Sequence, residues 1–531
     1  MRSGSRGGQR YFTTSLVKYF GKWHRGWGSI WIRLIAPVGV GLVWCQNVFR
    51  NPYLAWSVFF VGLEAVSAAT IFSPVPNTIF CLLLGAIALF AGWKRPMFGL
   101  SLLVFELLIG SMGYLLQAGA WPHTVSLRIV LTVCFLIGWA IDGRKRLRIP
   151  TFIKLFEGRE GYLVLLGLIV FAYFRGIIIG NVYVLQDANA WADWLLLFPV
   201  LDIVSTHRDR IRKDIVPPLV VGVVGLGLKT LGLEYLFSQG ITLGQNLYLW
   251  VRRTGVGEVT DVIGDTFRIF LQSQIYAVPA WLMAFSWWML GRREQKIRNI
   301  RDIPVAWWLL AVSAASLGVS LSRSFWIGAF VGAIVILGYL VRQGVLVWKK
   351  LIGIAMAKIG GLLCICAVLF FPLPHVPDVH LLDLFGSRAN VGEAAATSRW
   401  NLLPILWQKI MEHPILGSGF GATVTYKTLD PRILQDHPDG NYTTYAFEWG
   451  WLEHWIKLGI FGIPVMLYLL WSLGKRIWLL DDPEWLRIGV VASIAALVAI
   501  HVFTPYLNHP LGFLFFFVGE GLILSSQRKN V

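Results

Sequence analysis

One carboxylate and three arginines stand where chemistry can be done. Glu448 lies in FEWGWLEHWIKLGIFG (Phe447–Gly462), at the point where a polar stretch becomes an apolar helix. A carboxylate there can take a proton from a hydroxyl as a general base. Arg268 opens RIFLQSQIYAVP, Arg323 sits in SRSFWIG, and Arg399 begins RWNLLPILWQKIMEHPILGSGFG. Guanidinium forks can hold phosphate oxygens in pairs. His437 in QDHPDG and His454 further along are further candidate bases. Each residue also has a plainer reading. Arg268 and Arg323 can snorkel to headgroups, Arg399 can cap a helix or pair with Glu393, Glu448 can be an interfacial carboxylate, and His437 can be a turn residue. Glu453 and Lys457, four apart, read as an intrahelical pair. Gly417, Gly419 and Gly421 are like a phosphate loop only on the surface. No Lys-Ser/Thr follows them, which argues against a nucleotide site.

The elements that position these residues follow from composition. The chain has 531 residues, 56% of them hydrophobic and 14% charged, where soluble domains carry roughly 25% charged. Apolar runs of about 20 residues recur, each long enough for a bilayer core of about 30 Å. Runs begin near Tyr53, Asn77, Phe98, Leu127, Tyr162, Trp191, Ile215, Gln274, Val305, Ser324, Leu351, Trp449, Trp485 and His509. The fold expected is an all-α polytopic membrane protein of about 14 transmembrane helices, with a large extracytoplasmic loop between late helices. Residues 1–50 read as a basic cytoplasmic or interfacial segment, with 30–48 as an interfacial or re-entrant helix or a true span. Residues 51–371 carry helices and an outer loop at 238–272. The large loop is 372–448, and 449–531 hold the last helices and a basic tail.

The net charge of +18 resides in short loops. Lys94-Arg95, Arg144 to Arg146, Arg208 to Lys213, Arg292 to Arg301, Lys349-Lys350, Lys475-Arg476 and Arg528-Lys529 all fall on one side of the expected helices. That alternation follows the positive-inside rule and puts both termini in the cytoplasm. It explains the charge through orientation and anionic headgroups, not nucleic acid. The five cysteines form no CxxC pair, so neither a zinc site nor a disulfide framework is suggested. Within the loop, Pro372, Pro374, Pro377 and Pro414 are punctuation. HLLDLF (His380–Phe385) and SRWNLLPILWQKIMEH (Ser398–His413) read as amphipathic helices, the second with Leu402, Leu403, Leu406, Trp407 and Ile410 on one face. Trp400, Trp407, Tyr442 and Tyr445 are candidate sugar-stacking faces or interfacial packing. Glu64, Glu106, Arg128, Arg175, Lys229 and Lys358 fall inside apolar runs and need partners that the sequence does not name.

The order of these pieces resembles the O-antigen ligase and polymerase superfamily. That family shows an Arg before a span in R-A-F-G-T-F-x-x-P-N, then an S-R-G/S turn. A large outer loop follows with R-x-x-L-W and P-x-x-G-x-G, and H-N-x-x-L ends it, leading to G-I-x-G. Here RIFLQSQIYAVP is similar to the first, SRSFWIG to the second, RWNLLPILWQKIMEHPILGSGFG to the third and EWGWLEHWIKLGIFG to the fourth. The likeness covers roughly residues 214–475. The family's His falls on Glu448 and its Asn on Trp449, a departure that leaves the identity of the base open between Glu448, His437 and His454. A carboxylate accepts a proton more readily where desolvation disfavours its charged form.

The resemblance implies an inverting glycosyltransferase without metal or cofactor in the plasma (inner) membrane. Its donor would be an undecaprenyl-pyrophosphate-linked glycan and its acceptor a hydroxyl on glycan, lipid or protein. Arg268, Arg323 and Arg399 would bind substrate, and Glu448 or His437 would be catalytic. Ligase and polymerase are not separated. A transporter or flippase is the alternative from another class, although no internal repeat of the kind common in transporters is present.

Overall fold

The computed structural model describes residues 51–120, 123–143, 155–241, 245–263, 265–294, 303–344, 348–371, 394–428, 434 and 437–526. The segment 1–50, the HLLDLF helix with its neighbouring prolines, Glu393, Arg144 to Arg146, Arg298 and the Arg528-Lys529 tail lie outside the described residues. So do the side chains of Lys349, Lys350 and Lys358.

The chain is mostly helical. It runs through α1 (Pro52–Thr70), α2 (Pro74–Lys94), α3 (Pro96–Ile109), α4 (Leu127–Gly143), α5 (Glu160–Ile179), α6 (Val184–Thr206) and α7 (Val216–Ser238). Then come α8 (Asn246–Arg253), α9 (Ala277–Glu294), α10 (Ile303–Ser320), α11 (Arg323–Arg342), α12 (Trp348–Leu369) and α13 (Ala394–Glu412). The last helices are α14 (Gly450–Leu458), α15 (Gly462–Trp478), α16 (Glu484–Phe503) and α17 (Pro510–Ser526). Three antiparallel hairpins, absent from the all-α expectation, interrupt them: β1–β2 (Gln117–Ala120, His123–Ser126), β3–β4 (Gly257–Ile263, Thr266–Leu271) and β5–β6 (Val424–Lys427, Asn441–Thr444). Chain contacts divide between Val61 and Gly62. The described part of the first unit is the opening of α1, where Trp56 meets Phe59 edge-on at 5.6 Å. The second unit carries everything that follows.

Seven helices among the described residues are long and apolar enough to cross a membrane, and α14 with α15 makes an eighth if that pair, bent by 120°, is one span. The count of about 14 spans is not supported. Several expected spans are shorter apolar helices, α3 and α17 among them. With 14 residues, α3 is about 21 Å long, short of a bilayer core of about 30 Å. From Leu100 to Ile109 every α3 residue is buried, so its apolar character meets protein and not lipid.

Glycine contacts set how the late helices meet. Gly328 and Gly332, four apart on α11, face Ile500, Ala496 and Ala492 of α16, with carbonyls of the last two 3.0 Å from where each Cβ would stand. Small residues at this spacing let helices approach closely in a membrane. The contact places the Arg323 end of α11 beside the Phe503 end of α16.

The structure names the missing partners of the buried charges. Arg128 donates to Glu106 from Nε (2.8 Å) and Nη2 (3.2 Å), and to the Ser111 carbonyl at 2.7 Å. Lys229 donates to Glu64 at 2.8 Å and lies 5.1 Å from the Trp250 ring centroid. Glu520 accepts from Arg159 (2.7 Å), Tyr162 (2.9 Å) and Arg476. Each arrangement neutralises a charge that the interior cannot hydrate. Arg128→Met should therefore lower stability by about 3–5 kcal/mol, because it strands Glu106, whereas the double change with Glu106→Leu should lose clearly less. Thermal unfolding of the purified variants checks this; equal losses would mean that the pair's charge balance is not what matters.

Candidate functional site

Glu448 follows β6 and immediately precedes α14, whose N-cap is Trp449. The β5–β6 hairpin runs in the register Val424↔Thr444 to Lys427↔Asn441. It rests on α13 through a core of Leu402, Leu406, Ile410, Ala422, Val424, Phe447 and Ile456. Three of the five residues expected on that face, Leu402, Leu406 and Ile410, are buried, and Leu403 is half-buried. Trp407 is half exposed and stands edge-on to Trp455 at 5.9 Å, beside that core.

This packing brings Arg399 to Glu448. The Arg399 Nε donates to the Glu448 carboxylate, and the Trp449 indole donates to the Arg399 carbonyl at 3.0 Å. Trp400 stands edge-on to Trp449 at 5.5 Å. The Glu448 side chain is 52% exposed, and its neighbour is a guanidinium. Arg399 pairs with this carboxylate; Glu393, its other expected partner, lies outside the described residues.

Arg268 meets the segment that carries Arg323. Arg268 on β4 donates from Nε to the Ser320 carbonyl at 3.0 Å, in the turn that opens α11 at Arg323. Its guanidinium lies 4.8 Å from the Phe270 ring, which stacks on Phe325 at 5.8 Å. The two pairs belong to one band. Thr504 donates to Ser324 at 3.1 Å, and Phe503 packs on Trp449 at 5.7 Å, so the end of α16 bridges Arg323 to Glu448. Tyr506, in the connection beyond α16, donates to the Gln272 carbonyl at 3.1 Å, and burial pushes its phenol up.

The two histidines do not join this band. His437 sits in the exposed turn before β6, 6.1 Å from the Tyr442 ring. Strand β6 alone carries the chain about 10 Å back toward Glu448. Neighbouring Asp439 is held below the usual carboxylate range by the Asn441 side-chain amide and then by its backbone N–H. His454 is fully buried against Trp191, Trp451 and His501. Leu507 N–H donates to His501 Nδ1 at 3.1 Å, so the His501 proton is on Nε2, facing His454 Nδ1 at 3.1 Å. A base enclosed in this way does not meet an acceptor at the surface. The four expected aromatics divide: Trp400 and Trp407 are half exposed on α13, Tyr442 packs on Tyr426, and Tyr445 stacks on Tyr183 at 5.1 Å with its phenol pushed up by burial.

The glycines beyond α13 have a structural role. Gly417, Gly419 and Gly421 have φ of +70°, +73° and +74°. A Cβ on each would lie 2.5 Å from the backbone nitrogen of Gly459, Gly176 and Val184 in turn. The strand of chain is laid directly on three other backbones. Arg175 of α5 donates to the Gly417 carbonyl at 2.5 Å, Asn181 to those of Ser418 (2.9 Å) and Phe420 (2.8 Å), and Phe420 N–H to the Ala172 carbonyl at 3.1 Å.

Beneath this seat lies a triad that sequence reading only half reached. Lys457 donates to Glu453, the expected pair, and also to Asp187 of α6 at 2.6 Å. Asp187 accepts the Gly421 N–H at 2.7 Å as well. All three side chains are at most 6% exposed. Asp187 carried no signal in the sequence, nor did Glu234, a buried carboxylate of α7 that accepts the Phe267 N–H at 3.3 Å next to Arg268. Among the described residues no group of three His, Cys, Asp or Glu is arranged to hold a metal.

No protein-family model matches the chain, and no curated protein or solved structure does. The geometry therefore stands by itself. Gly419→Ala should destabilise the protein by about 1–3 kcal/mol from backbone conformation alone, with the steric clash added. Gly521→Ala on α17, where a Cβ meets nothing within 4 Å, should be neutral or slightly stabilising. Melting temperatures of the two variants check this; equal behaviour would remove the seat as a constraint.

Proposed function

We propose that this protein is a membrane glycosyltransferase of the O-antigen ligase or polymerase type. The donor is a glycan linked to undecaprenyl pyrophosphate, and the acceptor is a hydroxyl at the outer membrane face. The observation that carries this reading is the band that runs from Arg268 and Arg323 through the end of α16 to Arg399 and Glu448. The four segments that resemble the family's motifs form two pairs, each touched by the end of α16, although the loop between the second and third is long.

In the proposed reaction Glu448 takes the acceptor proton as the hydroxyl oxygen attacks the anomeric carbon. The bond from that carbon to the pyrophosphate oxygen breaks, and the electron pair leaves with the pyrophosphate. Arg268 and Arg323 hold the departing charge, since charge-assisted guanidinium contacts are the strong ones available to phosphate. Arg399 orients the carboxylate and lies next to the aromatic face of Trp400 and Trp449. Displacement from the opposite side inverts the anomeric centre. No metal is needed where guanidinium groups carry the leaving-group charge.

Transfer of labelled glycan from a lipid-pyrophosphate donor in nanodiscs is the test. Glu448→Gln should lose about 10²–10⁴-fold in rate, and Glu448→His should keep part of the activity, with an optimum moved toward about pH 6.5. Arg268→Ala and Arg323→Ala should abolish transfer, with only partial rescue by Lys. Normal turnover in Glu448→Gln with loss in His437→Ala would move the base to His437. The topology belongs to the same proposal: both termini are cytoplasmic, and the 372–448 segment is extracytoplasmic. An impermeant thiol reagent applied to intact cells should label Asp439→Cys and spare Gln343→Cys, both at exposed positions; the reverse pattern overturns the orientation.

The buried ion pairs favour one second reading, a transporter or flippase, because ionisable residues within spans often mark transport paths. Catalysis in nanodiscs, which have no second compartment, is the property that this reading does not provide.

A further inference from the structure

Helix α13 is apolar on two sides. Leu402, Leu406 and Ile410 fill the core against the β5–β6 hairpin. The opposite side carries Trp400, Pro404, Trp407 and Met411, and the chain just beyond the helix adds Ile415 and Leu416, all exposed. The first four recur at helical spacing and form one stripe. Trp407 is 50% exposed and Ile415 60%. A continuous apolar face of this kind marks contact with a protein or a membrane.

We infer that this face of α13 is embedded in the bilayer at the membrane–water boundary, with lipid as its occupant. Continuity with the lipid-facing surface supports that choice. Ile460 N–H donates to the Ile415 carbonyl at 3.2 Å, so the stripe runs directly into Ile460 and Phe461, which are also exposed. These two residues lead into α15, whose Leu467, Tyr468 and Trp471 form an exposed apolar face in turn. On the other side, Gly417 receives Arg175 from the last turns of α5, a candidate span. The C-terminal end of α13 is thus tied at the level where α5 ends and α15 begins. Two tryptophans on the stripe are the residues that settle at the boundary between headgroups and acyl chains.

Away from the stripe, Lys409 pairs with Glu412 at 2.7 Å. The consequence is that α13, which the sequence places within the large extracytoplasmic loop, is an interfacial helix. It holds Arg399, at its N-terminal end, at headgroup depth. This inference does not rest on the glycosyltransferase reading and holds for any membrane function.

Spin labels in lipid nanodiscs test it. Trp407→Cys and Met411→Cys carry a nitroxide, with Trp471→Cys as the lipid-exposed reference and Asp439→Cys as the aqueous one. The unsubstituted chain is labelled in parallel to correct for its own cysteines. Collision rates with oxygen, which partitions into lipid, and with a polar nickel chelate are compared at each site. The oxygen-to-nickel ratio at Trp407 and Met411 should approach that at Trp471 and exceed that at Asp439 severalfold. Nickel-dominated collisions at both stripe positions would mean that the face is in water. Low collision with both reagents would mean that protein covers it, either a second copy or another segment of this chain. Either result overturns the inference. Ile415→Cys supplies a second reading of the same face if a helix variant fails to fold.

Discussion

Lys457 carries an ammonium group into a part of the protein that water does not reach, and much of the late architecture follows from neutralising it. Its two carboxylate partners come from different places: Glu453 one turn away on α14, and Asp187 at the start of α6. A buried charge is tolerated only with close partners, so α14 has one workable position relative to α6. Asp187 extends the constraint by accepting the Gly421 N–H. The ion triad, the glycine seat and the start of α14 therefore form one unit. Glu448 stands just before α14 and takes its place from this unit, although its own side chain is half exposed.

A second constraint is the close packing of α11 on α16 at Gly328 and Gly332. The end of α16 lies between two segments distant in the chain, the turn at Arg323 and the loop-to-helix junction at Glu448. It offers Thr504 to one and Phe503 to the other. A rigid element touching both sides keeps them in register without any direct bond between them. Rigid helices supporting groups that face a boundary are what a preorganised site requires.

The glycine-rich exit of α13 shows how one pattern serves different physics. A loop of glycines suggests a cradle for an anion, yet here each glycine is needed because another backbone occupies the space of a side chain. The amides turn toward protein: Ser418 N–H donates to the Ile456 carbonyl, Phe420 N–H to that of Ala172, and Gly421 N–H to Asp187.

What the sequence determined by itself was everything carried by local periodicity and by composition. The apolar runs establish a helical membrane protein, the amphipathic pattern at 398–413 locates α13 to within a few residues, and Glu453 with Lys457 reads as a pair because four residues make one helical turn. Long-range contacts leave no such periodic trace. That α3 is buried among other helices, that Trp407 stays half exposed, that Arg128 pairs with Glu106 and Lys457 with Asp187, and that Arg399 meets Glu448 depend on which elements pack together. An apolar helix looks the same in sequence whether lipid or protein surrounds it. A charge in a span announces only that it needs a partner, and the tertiary structure alone decides which one it has.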